Sequence, residues 1–140
     1  MEAITIYTDG GARGNPGPAG VGAVILDGEG KVLKEISDYI GETTNNVAEY
    51  EALIRALTAV VELFGEKLRS MKIEVCMDSE LAVRQLNGIY KVKDATLKKL
   101  FARVATVRLE HMPNVIFTHV GREKNTHADT LVNAAIDGHH

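Results

Sequence analysis

The chain has 140 residues, 45% of them hydrophobic and 25% charged, with a formal net charge of -3. Its net acidity argues against a uniformly basic nucleic-acid coat, and no apolar run approaches the length that crosses a bilayer. The one cysteine, Cys76, makes neither an intrachain bridge nor a Cys-x-x-Cys zinc or redox pair, and the length suffices for one domain, 1–140, without such staples.

The first residues, MEAITIY, enter a strand pattern directly, without the basic and apolar regions of a secretory signal, so a reducing, cytoplasmic setting is expected. Residues 3–8, 20–27 and 31–40 read as strands joined by Gly-containing turns, the second being "DGEGK". Asp9 falls where the first of them gives way to "GGARGNPGPAG", which reads as a hairpin loop from Gly10 to Gly20. From Asn46 to Phe64 the residues Val47, Tyr50, Leu53, Ile54, Leu57, Val60, Val61 and Phe64 recur at helical spacing, and Gly65 ends the pattern.

"KIEVCM" is a fourth strand, followed by helices over Ser79–Leu86 and Ala95–Glu110, with Pro113 after the second. "NVIFTHV" is the fifth strand, with His119 near its end, and Thr126–Ile136 the last helix, with His127 toward solvent. Gly138, His139 and His140 read as a frayed end without a role. Strands joined by hairpins pair antiparallel and those joined through helices pair parallel, which predicts a mixed α/β sheet covered by helices. Ligands of such sheets sit outside the carboxyl ends of the strands, where Asp9 is expected.

Charge is uneven along the chain. Arg84, Lys91, Lys93, Lys98, Lys99, Arg103 and Arg108 are opposed only by Asp94 between positions 84 and 108. A solvated helix face accounts for such a run, and so does a locally basic docking surface.

Four acids stand at element boundaries, each with an ordinary structural explanation. Asp9 begins an Asp-Gly turn. Glu49 lies three residues after Asn46 and Asp129 three after Thr126, both close to capping-box spacing, and Asp78 sits where Asp often caps a helix. Taken together they suggest more, because Asp9 and Asp78 end strands expected to be parallel neighbours. Glu49 shares a helix row with Leu53, Ala56 and Val60, which turns it toward the sheet. Carboxylates gathered this closely take up protons or bind cations. Oxygen-only ligands favour Mg²⁺, with Mn²⁺ able to stand in, and four negatives balance two divalent ions of the kind that flank a phosphate about 3.5 to 4 Å apart.

"YTDGGARGNPGPAGVGAVI", "TTNNVAEYEAL", "VCMDSELAV" and "HVGREKNTHADTLVNAA" resemble, in order and spacing, the four signature blocks of type 1 ribonuclease H, from Thr5 to Ala135. The resemblance implies a ribonuclease H-like fold, a five-stranded sheet of order 3-2-1-4-5 flanked by helices. It also implies hydrolysis of the RNA strand of RNA/DNA hybrids, leaving 3′-hydroxyl and 5′-phosphate ends. Asp9, Glu49, Asp78 and Asp129 match the family's metal-binding catalytic acids, one ion activating the attacking water and the other stabilising the departing oxygen.

By the same resemblance Asn15 and Asn45 contact the minor groove of the hybrid and Thr44 a DNA-strand phosphate, while Gly10 and Gly11 let the backbone approach a ligand. The sequence departs from the family pattern in three places. It has no tryptophan and only "NGIYKVKDATLKK" where many relatives carry a long basic protrusion. Glu80 replaces a common glutamine at a minor-groove contact. Arg122 stands nearest the position of a loop histidine and, staying charged, suits steering a phosphate rather than carrying a proton. A nuclease for double-stranded RNA and a non-catalytic duplex-binding module are the competing readings, and a monomer is the simplest assembly.

Overall fold

The computed structural model describes residues 2–139. β1 (Ala3–Ala12), β2 (Gly17–Asp27) and β3 (Val32–Thr43) form an antiparallel meander, and β4 (Lys72–Met77) and β5 (Ile116–His119) add in parallel beyond β1. The sheet therefore runs β3-β2-β1-β4-β5, the predicted order. Four helices cover it: α1 (Asn45–Phe64), α2 (Glu80–Leu86), α3 (Ala95–His111) and α4 (Thr126–Asp137). Two 3-10 turns, Gly65–Ser70 and Arg122–Lys124, were not foreseen from sequence.

Alternation along the central strands assigns the two faces. Ile4 and Ile6, with Val21, Ala23 and Ile25 of β2, point to one side and are buried against Leu53, Leu57 and Val60 of α1. Leu97, Leu100 and Val104 of α3 extend that core. The opposite face receives α4, and there β2 carries glycines because no side chain fits. A Cβ on Gly22 would lie 2.3 Å from the Ala128 carbonyl oxygen. Gly22→Ala is therefore expected to cost about 1–3 kcal/mol, read as a lower denaturation midpoint.

Several boundaries differ from the sequence reading. The Gly10–Gly20 segment is mostly strand: β1 continues to Ala12, paired with Ala19, and only residues 13–16 form the hairpin tip. Asp9 thus lies within a strand rather than at its end. Gly10 serves packing, since a Cβ there would stand 2.1 Å from the Ala48 carbonyl oxygen of α1. β3 likewise runs on to Thr43.

The basic run divides by role. Arg84 pairs with Glu80 at 3.6 Å and Arg103 with Glu51 at 3.9 Å. Arg108 lies over the Phe117 ring at 4.9 Å and donates to the Leu86 carbonyl, and burial lowers its pKa. Lys91, Lys93, Lys98 and Lys99 are exposed. At the chain end Gly138 N–H donates to the Ala134 carbonyl and the His139 ring stacks on Tyr39 at 3.6 Å. His140 lies outside the described residues.

Candidate active site

β4 stops at Met77, opposite Thr8, while β1 continues for four more residues. That leaves one side of Asp9–Ala12 without a neighbouring strand, and unpaired backbone groups there need other partners. Side chains supply them. The Thr8 carbonyl accepts from Asn125 Nδ2 at 3.0 Å, Gly10 N–H donates to Glu49 Oε1 at 2.8 Å, and Ala12 N–H donates to Asn45 Oδ1 at 2.8 Å. Asn45 is itself held, its N–H donating to Asn15 Oδ1 at 3.0 Å.

The same gap lets acids from both faces of the sheet meet. Asp9 is cross-strand partner to Gly22 and so projects on the α4 side, whereas Glu49 comes from α1 on the other. Asp78 is the first residue beyond β4. One carboxylate oxygen from each of Asp9, Glu49 and Asp78 lies within 4.8 Å of the others. Asp129, on α4, stands outside that triad but lines the same cleft, its Oδ2 3.4 Å from the amide nitrogen of Asn133. Burial grades across the set: Asp9 and Glu49 are 8% and 6% exposed, Asp78 is half-buried and Asp129 is exposed.

None of the capping explanations holds. Thr44 caps α1, accepting from Val47 N–H, and the helix begins at Asn45, one residue earlier than predicted. Ser79, not Asp78, caps α2. At α4 the cap position belongs to Asn125, without a side-chain capping bond, so Thr126 and Asp129 form no capping box.

Electrostatically the cluster is under strain. Burial, with the Asp78 and Asp129 charges adding to it, pushes the Asp9 carboxyl up to about 7, against a lowering influence of Glu49 beside it. Burial likewise, with Asp9 beside it, raises Glu49 well above the usual carboxylate range. Glu49 Oε2 is buried without a hydrogen-bond partner. An orphaned, buried oxygen among three converging carboxylates, with no histidine or cysteine in the group, is a donor set that suits a hard divalent cation.

These acids open onto a cleft of about 630 Å³. Of the other predicted residues, Gly10, Gly11, Asn45 and Arg122 line it. Asn15, Thr44 and Glu80 do not: Asn15 braces Asn45, Thr44 caps α1, and Glu80 is exposed beside Arg84. The sequence reading missed Arg13, Ser79 and Glu123 in the cleft lining, and Asn125 behind it. Arg13 was visible as a cation in the glycine-rich block, and it reaches Asp137 at 2.5 Å. Nothing local marks Asn125, whose partner is 117 residues away.

A 3-2-1-4-5 sheet with acids at the open edge of its central strand defines the ribonuclease H-like class. In agreement, residues 7–135 match the reverse transcriptase-like family. The ribonuclease HI of Halobacterium salinarum is 43% identical over 96% of this chain and 64% of its own length. The bifunctional protein Rv2228c of Mycobacterium tuberculosis is also 43% identical, and this chain spans 35% of its length. Among solved structures, LC11-RNase H1, isolated from compost by a metagenomic approach, superposes with a TM-score of 0.93 at 63% identity, covering 99% of this chain and 98% of that one. RNase H1 of Halobacterium salinarum superposes with a TM-score of 0.86 at 39% identity, covering 98% and 99%. The chain belongs to the type 1 ribonuclease H family.

Proposed function

We propose that this protein is a metal-dependent endonuclease that hydrolyses the RNA strand of RNA/DNA hybrids, leaving 3′-hydroxyl and 5′-phosphate ends. The observation that carries this reading is the partnerless, buried Glu49 Oε2 within the cluster of Asp9, Glu49 and Asp78. Isolated carboxylates are expensive to bury, and a site that keeps three together is made for cations. The 63% identical LC11-RNase H1 has been seen in complex with an RNA/DNA hybrid, which supports the substrate.

In this reading Asp9, Glu49, Asp78 and Asp129 hold two Mg²⁺ ions, with Mn²⁺ able to replace them. Bound there, such ions supply charge stabilisation to both the attacking and the leaving oxygen of an in-line displacement. The chain's own residues prepare that chemistry. Gly10 N–H fixes Glu49 Oε1, so that Oε2 is left for the cleft. Arg122 and Arg13 are the two cations in the lining; Arg122 is placed to meet a phosphate of a bound duplex, and Arg13 would do so by exchanging Asp137 for it. Asn15 and Asn45 spend their amide oxygens on backbone N–H groups, leaving their NH₂ groups as donors toward the minor groove. Thr44 adds to a phosphate pocket at the start of α1, Gly10 and Gly11 allow close backbone approach, and Glu80, paired with Arg84, brings a negative charge to the minor-groove position where a glutamine is common.

We take the working unit to be one domain over 1–140, a cytoplasmic monomer. Among the described residues no helix is long and apolar enough to cross a membrane, and the Cys76 thiol is buried, with burial pushing it up to about 11. The test is cleavage of labelled RNA/DNA, RNA/RNA and DNA/DNA duplexes with Mg²⁺, Mn²⁺ or EDTA. The RNA strand of the hybrid is expected to be cut with either metal and with neither other duplex cut comparably. Preference for RNA/RNA would move the assignment to a double-stranded RNA nuclease, and folded protein that cuts none of them would end it.

A further inference from the structure

Asn125 is 1% exposed and sits between the two arms of the site, where nothing above assigns it a part in the reaction. Its Nδ2 donates to the carbonyl of Thr8, the residue before Asp9, at 3.0 Å. Its own carbonyl accepts from Asp129 N–H at 3.1 Å, and its N–H donates to the Arg122 carbonyl at 3.0 Å. One buried residue thus ties the strand of Asp9 to the helix of Asp129 and the turn of Arg122.

We infer that Asn125 is a positioning residue that sets the separation of Asp9 from Asp129, and with it the cleft's grip on its metal ions; the inference rests on the function proposed above. Stability alone does not account for the side chain. Asn125 Oδ1 is buried without a partner, as is Thr8 Oγ1, and each such group costs stability that an apolar residue would not. What an apolar residue lacks is the donor that pins the Thr8 carbonyl at the point where β4 ends. Without that bond the start of α4 is free to shift against β1, and displacements of about 1 Å in a catalytic geometry cost on the order of 10²-fold.

The experiment compares Asn125→Ala and Asn125→Ser with Asn87→Ala. Serine suits a helix start but is too short to reach Thr8, which favours a folded variant. Asn87, more exposed than Asn125, also donates Nδ2 to a strand carbonyl, that of Phe117 at 3.2 Å, away from the acids, and so serves as the control for losing an asparagine bond to the sheet outside the site. Two measurements are made: the Mg²⁺ concentration giving half the Mg²⁺-induced rise in melting temperature without substrate, and steady-state cleavage of a labelled hybrid, which gives kcat and KM. Both Asn125 variants are expected to need about tenfold more Mg²⁺ and to lose about 10- to 100-fold in kcat with KM within about twofold. Asn87→Ala is expected to melt lower and keep both.

A wild-type Mg²⁺ response and kcat in Asn125→Ser would overturn the inference, as would failure of both Asn125 variants to fold, which would mark the residue as purely structural. Wild-type protein that cleaves hybrid while Asn125→Ser matches it sinks the positioning role alone. Wild-type protein that neither gains stability from Mg²⁺ nor cleaves hybrid sinks the proposed function and this inference together.

Discussion

Asp9→Asn is expected to reduce hybrid cleavage by at least about 10³-fold while the variant melts at a higher temperature than the wild type in metal-free buffer. The two changes have one cause. Asp9 shares the centre of the cluster with Glu49 and Asp78, and its carboxylate is held against burial and two like charges. An amide of the same shape removes that repulsion and brings a donor toward Glu49 Oε2, the buried oxygen without a partner. It also removes a ligand from the middle of the metal site. Cleavage of a labelled hybrid and a thermal melt in EDTA, run on the same preparation, check both halves. Loss of activity accompanied by a lower melting temperature would indicate damage to the fold instead.

In metal-free buffer the wild-type protein is expected to lose stability as pH rises from about 4 to about 7. The folded-state pKa of Asp9 is raised from 3.8 to about 7, so in that interval the folded protein holds a proton that the unfolded chain has released. Stability therefore falls with rising pH, is fully present below the unfolded pKa of 3.8, and levels off above about 7. The Asp9 contribution is on the order of 4 kcal/mol, and Glu49, raised in the same direction, deepens the decline. Denaturant melts at pH 4 and pH 8 measure it directly. Millimolar Mg²⁺ should remove most of the decline, because a cation bound only by the folded protein takes over from the proton. Asp9→Asn should flatten the metal-free curve as well, which links the two measurements.

The fold was legible to the extent that it is written in periodicity. Leu53, Leu57 and Val60 at helical spacing, and Ile4 and Ile6 in alternation, specify α1, β1 and the face on which they meet. Strand order and the four acids were recognisable through the resemblance to type 1 ribonuclease H; the sheet has that order, and of the acids Asp9, Glu49 and Asp78 stand together while Asp129 lines the same cleft. What was misread depends on partners distant in the chain. Gly10 and Gly11 look like a turn, but they are strand, because Val21 and Gly20 pair with them and Glu49 and Asn45 take the N–H groups of Gly10 and Ala12 on the other side.

The apparent capping boxes failed for a related reason. Spacing shows which side chain would serve an assumed helix start, but not where the helix begins or whether a better partner waits elsewhere. α1 begins at Asn45, so Thr44 holds the cap and Glu49, five residues into the helix, lies beyond reach of its start and accepts from Gly10 instead; at α2 the cap is Ser79 in place of Asp78. Asn125 had no signal at all, because its meaning lies in Thr8.

The side chains that complete the open edge of β1 come from 33, 39 and 117 positions along the chain. Contacts so remote close large loops, and loops of that size form late in folding. A nascent polypeptide still missing Asn125 and its final helix therefore already contains Asp9, Glu49 and Asp78, with Glu49 and Asn45 on hand for the tip of the central strand, yet lacks Asp129 and the bond that holds the Thr8 carbonyl. During refolding from denaturant, recovery of nuclease activity should lag behind recovery of helical signal, marking the moment when the two ends of the polypeptide dock.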